Sequence, residues 1–200
     1  MFIKICGITN IKDALDAVAC GADALGFLFA ESPRKISVVA VREIVEQLPA
    51  NVLTIGVFRD QDARHVVETV SEACLIGAQL HGHESSALVA EVVAKVQWVA
   101  KSVIAGSAEA SSSDNYGTKM ILVDSASPGT GTGYDLTLLK QLPKNINVIL
   151  SGGLTVINVA ESIKAVSPWG VDVSSGVEIS PGVKDIAKMR DFITNARATI

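Results

Sequence analysis

The sequence predicts an α/β fold: a compact, single-domain (β/α)8 barrel of the TIM type that spans residues 1–200. Eight short apolar runs alternate with longer amphipathic stretches. The ends of these runs recur roughly every 21 to 29 residues, as repeated strand–helix units do. An open doubly wound sheet has a similar pattern. Eight units, a short first strand that can pair with the last, and no sign of a second domain favour the closed barrel.

The strands are predicted where Val, Ile and Leu run together, as in parallel sheets covered on both faces. They span residues 2–6, 23–29, 52–58, 75–80, 98–104, 119–124, 147–151 and 170–174. Polar caps at Asn10 and Ser37 and stops at Gly21 and Pro49 mark the first two helices. Further helices are predicted over 61–71, 84–96, 136–142, 155–166 and 185–197, with a less regular helical pattern over 105–117.

Composition and charge exclude several classes of protein. Of the 200 residues, 48% are hydrophobic, and the mean hydropathy of +0.38 is too high for a disordered chain. The 17 basic and 21 acidic side chains give a net charge of −4, which opposes general attraction to nucleic acid or acidic membranes. We therefore expect neither as a partner. No apolar run reaches about 18 residues, so no membrane span is predicted.

The cysteines and the first residues indicate a reducing, cytoplasmic environment. The chain has an odd number of cysteines, and none of them forms a C-x-x-C pair: they are Cys6, Cys20 and Cys74. Neither a disulfide framework nor a zinc site is therefore predicted. The three histidines lack acidic partners at ligand spacing, so no metal is expected. No long apolar run follows the N-terminus, and we expect no secretory signal.

Two loops rich in Gly and Ser follow the last two predicted strands. The first contains Gly152 and Gly153, and the second contains Ser174, Ser175 and Gly176. Glycines let a backbone approach an anion closely, and these two positions are the usual phosphate site of a barrel. Tight turns that merely need glycine are the alternative. We favour phosphate binding, because the two loops lie side by side.

A third glycine-rich loop, 129–133, follows the sixth strand. It does not match G-x-G-x-x-G, because Tyr134 stands at the last glycine position, so a dinucleotide cofactor is not predicted. A flexible loop near the phosphate, with Gly131 at its centre, is the interpretation we favour.

Two reactive side chains end apolar strands: Cys6 on the first and Asp124 on the sixth. A thiolate can act as a base or nucleophile. A carboxyl at an apolar rim is suited to act as a general acid. Strands one and six are three apart in a ring of eight, so the two side chains can face each other across the mouth. An inert buried cysteine and a turn-capping aspartate are the alternatives.

Arg34 and His81 follow strands two and four. The planar guanidinium of Arg34, held in a loop with Pro33, matches a carboxylate or phosphate, although many such arginines are solvated. His81 either hydrogen-bonds a ligand or caps its turn.

Together these residues carry a family resemblance. The motifs span 4–8, 26–34, 56–58, 79–82, 122–125, 151–154 and 171–178, in that order. The set resembles the phosphoribosylanthranilate isomerase family of tryptophan biosynthesis, from residue 3 to about 192. Pro128 and Thr132 depart from the glycine loop typical of that family.

The resemblance implies a (β/α)8 enzyme that performs an Amadori rearrangement of N-(5-phosphoribosyl)anthranilate without metal or organic cofactor. By that likeness Asp124 is the general acid that opens the furanose ring, and Cys6 is the general base. Arg34 is expected to hold the anthranilate carboxylate. The loops with Gly152, Gly153, Ser175 and Gly176, and the one near Gly131, are expected to hold the phosphate. A thiol base has a high ordinary pKa, so we predict positive groups beside Cys6.

The sequence is also compatible with other functions. The chain could be another phosphate-binding barrel, such as a sugar-phosphate epimerase or indole-glycerol-phosphate synthase. An epimerase needs metal ligands at several strand ends, and the synthase needs a catalytic lysine and glutamate there. An inactive barrel that binds a phosphate ligand is a further alternative. Both a monomer and a homodimer are compatible with the sequence.

Overall fold

The computed structural model describes residues 1–124, 137–138 and 142–199. Eight parallel strands form a closed barrel in the order of the chain. They are β1 Phe2–Cys6, β2 Ala24–Leu28, β3 Leu53–Phe58, β4 Gly77–Leu80, β5 Trp98–Ile104, β6 Met120–Asp124, β7 Asn147–Leu150 and β8 Gly170–Val173. The last strand pairs with the first through Lys4 and Asp172, which lie opposite each other. The predicted closed barrel is thereby confirmed, and the open sheet is excluded.

The helices pack around the barrel between successive strands. They are α1 Ile11–Ala19, α2 Val38–Val45, α3 Ala63–Glu72, α4 Ser86–Val93, α5 Ala108–Ser111, α6 Val159–Val166 and α7 Ile186–Arg197. The predicted caps are confirmed: the side chain of Asn10 accepts the Asp13 N–H at 2.8 Å, and that of Ser37 accepts the Ala40 N–H at 3.3 Å. No helix within the described ranges is long and apolar enough to cross a membrane.

The main differences from the prediction, apart from shifts of two or three residues at element ends, are three. The stretch 105–117 holds only the single turn α5 and a 3-10 turn at Ser113–Tyr116. Helix α6 begins at Val159 rather than at 155, because the Asn158 side chain accepts the Thr155 N–H at 2.8 Å and holds a turn before it. After β8, strands β9 Glu178–Ser180 and β10 Val183–Lys184 form an antiparallel hairpin that was not predicted. The predicted helix 136–142 falls mainly outside the described residues.

Alternation along the strands sorts side chains between the helix layer and the lumen. On β1, Ile3 and Ile5 are fully buried in the apolar layer beneath the helices. Lys4 and Cys6 occupy the other face, where a Cβ on Gly26 would meet both of their side chains. Each fully buried Ile or Leu contributes about 1.5–3 kcal/mol of burial free energy, so the outer layer stabilises the barrel and leaves its lumen for polar groups.

Candidate active site

A cavity of about 440 Å³ opens at the carboxyl ends of the strands. In a parallel barrel these ends all meet at one rim, which is why residues far apart in sequence share it. Of the predicted site residues, the structure places eight around this cavity: Cys6, Arg34, His81, Asp124, Gly152, Gly153, Ser174 and Ser175. Gly131 lies outside the described residues.

Cys6 is buried at the end of β1 between two ammonium groups. The thiol hydrogen-bonds Lys4, and Lys184 Nζ donates to the Cys6 carbonyl at 2.5 Å. Burial raises the pKa of the Cys6 thiol above its ordinary value, while Lys4 and Lys184 lower it and Asp172 raises it. The predicted positive groups beside Cys6 are confirmed. Their effect is smaller than that of burial, so the thiol pKa is raised on balance.

Lys4 and Asp172 form a buried ion pair in the lumen, next to Cys6. Lys4 Nζ lies 3.0 Å from Asp172 Oδ1, and the lysine is fully buried. Burial lowers the pKa of Lys4, but the Asp172 carboxylate and Cys6 raise it more, so the pKa is raised overall and the ammonium stays charged. The sequence analysis did not select either residue as a site residue. A single charged residue within an otherwise apolar strand could have indicated them.

Asp124 ends β6 on the same cavity and lies beside His81, which directly follows β4. His81 Nε2 lies 3.3 Å from Asp124 Oδ2, and His81 Nδ1 lies 2.9 Å from Gln79 Nε2. The expectation that His81 contacts a ligand or caps its turn did not include this pairing. The structure therefore places an imidazole directly behind the candidate acid, and adds Gln79, which sequence reasoning also missed.

Arg34 lines the cavity, but part of its fork is occupied. Its Nε and Nη2 each donate to Glu178 at 2.8 Å in a bidentate pair. The Nε–Nη2 edge of the guanidinium is therefore occupied, and the expected contact of Arg34 with the anthranilate carboxylate stays a prediction. The geometry leaves the Nη1 side of the fork for an anion. Glu178 holds this orientation from β9, 144 residues away in sequence.

Glu178 also joins Arg34 to Lys184. Lys184 Nζ lies 2.8 Å from Glu178 Oε1. Burial opposes ionisation of Glu178, but hydrogen bonds from Arg34 and Lys184 lower its pKa below the ordinary value. Burial lowers the pKa of Lys184, against the attraction of Glu178. Sequence reasoning missed both residues because the hairpin was not predicted.

The two Gly/Ser loops adjoin, as predicted. Gly152 and Gly153 have positive φ angles of 82° and 69°, a conformation that favours glycine. A Cβ on Gly176 would lie 2.0 Å from the Leu154 carbonyl oxygen, so this glycine allows the loops to pack backbone to backbone rather than lining the cavity. Ser174 lines the cavity, and its Oγ is buried without a hydrogen-bond partner among the described residues.

No cluster of three or more His, Cys, Asp or Glu side chains within the described ranges is placed to hold a metal ion.

Comparison with known proteins identifies the family. The family model described as N-(5'phosphoribosyl)anthranilate (PRA) isomerase matches residues 3–195. The chain belongs to this family. It is 39% identical to the N-(5'-phosphoribosyl)anthranilate isomerase of Bacillus cereus (strain B4264), with 98% of both chains covered. It is therefore an isomerase, as the motifs implied, and the alternative of an inactive binding barrel is not favoured.

Solved structures agree with this assignment. Phosphoribosyl anthranilate isomerase from Thermus thermophilus superposes with a TM-score of 0.92 at 37% identity, over 100% of both chains. A phosphoribosyl anthranilate isomerase in complex with reduced 1-(o-carboxyphenylamino)-1-deoxyribulose 5-phosphate superposes with a TM-score of 0.87 at 35% identity, over 99% of both chains. The isomerase fold and family predicted from the motifs are confirmed.

Proposed function

We propose that this chain converts N-(5-phosphoribosyl)anthranilate into 1-(2-carboxyphenylamino)-1-deoxyribulose 5-phosphate, a step of tryptophan biosynthesis. The observation that carries the proposal is the convergence of Cys6 and Asp124 on one cavity in a chain of this family. A thiol and a carboxyl that face one space can act on two positions of one small sugar.

The first step is ring opening with Asp124 as the general acid. The Asp124 carboxyl gives its proton to the furanose ring oxygen, and the bond from that oxygen to C1′ breaks. The lone pair of the anthranilate nitrogen forms the C=N bond of a protonated Schiff base. Asp124 is left as a carboxylate, which the neighbouring His81 Nε2 at 3.3 Å can stabilise by a hydrogen bond.

The second step is proton removal with Cys6 as the general base. The thiolate takes the proton from C2′, and that electron pair forms the C1′=C2′ bond of an enolamine while the C=N electrons return to nitrogen. The enolamine then tautomerises to the ketone. The thiolate that this step requires is stabilised by the ammonium groups of Lys4 and Lys184.

Two anion contacts fix the substrate between acid and base. We place the phosphate at the loops with Gly152, Gly153 and Ser175, because these residues line the cavity and their backbone N–H groups can donate to an anion. The anthranilate carboxylate fits the Nη1 side of Arg34. Gly131 stays a prediction for the phosphate site.

Single substitutions test the two roles. Cys6→Ala and Asp124→Asn are each expected to lower kcat by about 10²–10⁴-fold, because each removes one positioned proton-transfer group. KM is expected to change little, since neither side chain carries an anion contact. The assay follows the loss of anthranilate-type fluorescence with the labile substrate generated in situ. Cys74→Ala and Asp62→Asn, both exposed positions, serve as matched controls. Turnover close to that of the unsubstituted chain in either test variant would remove that residue from the mechanism.

The small phosphorylated substrate is the partner we propose, with the reducing cytoplasm as the place of action. Neither a nucleic acid nor a membrane is required. Both monomer and homodimer complete the site from one chain, because all eight placed residues belong to a single barrel. Sedimentation at assay concentration would distinguish them.

A further inference from the structure

Three side chains contact one another in series, from the barrel interior to the candidate acid Asp124. Gln79, on β4, is 1% exposed, and its Nε2 lies 2.9 Å from His81 Nδ1. On the other side of the ring, His81 Nε2 lies 3.3 Å from Asp124 Oδ2. Each nitrogen of the imidazole thus has one partner of known chemistry, which is the condition for fixing its tautomer.

We propose that Gln79 is a positioning residue for the isomerase reaction: it donates an amide N–H to His81 Nδ1 and thereby selects the imidazole tautomer with its proton on Nε2, aimed at Asp124. The inference rests on the proposed function of Asp124. An amide nitrogen can only donate, so Nδ1 must be the acceptor and Nε2 must be the protonated nitrogen of a neutral ring.

This arrangement suits an acid that carries its proton on Oδ1. His81 Nε2 lies 3.3 Å from Asp124 Oδ2, so with the proton on Oδ1 the other oxygen is left to accept from the imidazole. The hydrogen bond to Oδ2 strengthens when Asp124 becomes a carboxylate, so it stabilises the transition state for ring opening more than the ground state. A neutral imidazole provides this donor without adding a full positive charge beside the acid.

A purely structural role does not account for Gln79. Its Oε1 is buried without a hydrogen-bond partner among the described residues. An unsatisfied buried amide oxygen destabilises a fold, so an apolar side chain would serve the barrel better at this position. The hydrogen bond that the amide does make is directed at the ring behind the acid.

The loop that carries His81 is itself held rigidly. Lys101 Nζ donates to the Gly82 carbonyl at 2.8 Å, and the Gly82 N–H donates to Glu84 Oε1 at 2.9 Å. Lys101 is fully buried and lies 3.3 Å from Glu84 Oε2. The backbone directly after His81 is thus fixed at both its N–H and its carbonyl, which limits the positions available to the ring.

Two substitutions distinguish the hydrogen bond that Gln79 donates from the volume that its side chain fills. Gln79→Met keeps a similar length but cannot donate, so the His81 tautomer is no longer fixed. Gln79→Glu reverses the hydrogen bond, because a carboxylate accepts and requires a proton on Nδ1. We expect kcat to fall about tenfold in Gln79→Met, as for loss of one net hydrogen bond, and further in Gln79→Glu, with KM little changed. Gln47→Met, on the exposed face after α2, is the matched control.

Nitrogen NMR of the full chain, labelled in its imidazole rings, reads the tautomer without any turnover. We expect an Nε2-protonated ring for His81 in the unsubstituted chain, a mixture in Gln79→Met and an Nδ1-protonated ring in Gln79→Glu. An Nδ1-protonated His81 in the unsubstituted chain, or an unaltered tautomer and kcat in Gln79→Met, would overturn the inference. If the unsubstituted chain lacks isomerase activity, the proposed function fails, whereas the tautomer experiment still decides the hydrogen-bond direction.

A double-mutant cycle guards against a folding defect. His81→Gln offers an amide donor whose orientation does not depend on tautomerism. We expect Gln79→Met to cost far less in that background than in the unsubstituted chain, because its effect passes through the imidazole. Equal losses in both backgrounds would show that Gln79 acts on the fold rather than on His81, and would contradict the proposal.

Discussion

Replacing Lys4 with Met tests whether a buried ammonium group lowers the pKa of Cys6, the proposed base. The lysine is fully buried, hydrogen-bonds the Cys6 thiol and lies 3.0 Å from Asp172 Oδ1. Methionine has a similar length but no charge, so the substitution removes the ammonium and leaves most of the packing. Burial already raises the pKa of Cys6, and Lys4 is one of the two cations that act against it.

The expected magnitude follows from the value of one hydrogen bond to a charged group, about 1.5–3 kcal/mol. At 1.36 kcal/mol per pKa unit, its loss raises the thiol pKa by roughly one to two further units. Below that pKa the thiolate fraction falls tenfold for each unit, so kcat near neutral pH is expected to fall by about 10–100-fold. Above it, the variant approaches the rate of the unsubstituted chain. Asp172 loses its partner, and about 3–5 kcal/mol of stability is lost with it.

Two measurements check this reasoning. The first is the dependence of kcat on pH, whose rising limb is expected to move to higher pH in Lys4→Met. The second is the rate of alkylation of Cys6 against pH, measured after Cys20 and Cys74 are changed to Ser, which titrates the thiolate without substrate. Lys12→Met, an exposed lysine, is the control. Superimposable pH profiles of folded Lys4→Met and the unsubstituted chain would refute the role of Lys4.

Three further substitutions have expected outcomes. Burial raises the pKa of Glu178, but Arg34 and the Lys184 ammonium lower it more. The ionised Glu178 carboxylate therefore stabilises the fold above the unfolded carboxyl pKa of about 4.3, and this contribution is lost as the pH falls through the lower pKa of the folded state. Glu178→Gln should be about 3–5 kcal/mol less stable near neutral pH, and its urea unfolding midpoint should fall less steeply with decreasing pH than that of the unsubstituted chain. Equal dependence of the two midpoints on pH would contradict this prediction. Gly176→Ala places a Cβ 2.0 Å from the Leu154 carbonyl oxygen and so forces apart the loops that follow β7 and β8. Inhibition of the enzyme by inorganic phosphate should therefore weaken. Unaltered inhibition would argue against a phosphate site at these loops. Lys101→Met removes the ammonium that faces the buried Glu84 carboxylate and should lower the free energy of unfolding, measured in urea, by about 3–5 kcal/mol. A loss below about 1 kcal/mol would show that this pair does not stabilise the fold.

Much of the fold and the candidate catalytic pair could be predicted from local signals. Apolar runs mark the strands because both faces of a parallel sheet are covered, and the caps at Asn10 and Ser37 mark helix starts because orphan N–H groups need acceptors there. Cys6 and Asp124 were recognisable because a reactive side chain at the end of an apolar strand must lie at the rim of a barrel. These inferences need only neighbours in sequence and the repeat of eight units.

Tertiary structure alone decided which groups act on that pair. Lys4 meets Asp172 across the seam between the first and last strands, 168 residues apart, and Arg34 is paired with Glu178 across 144 residues. Such contacts depend on strand register and on closure of the ring, which no local pattern encodes. The same holds for the shift in the thiol pKa, because burial and charge both depend on what the folded chain brings around Cys6.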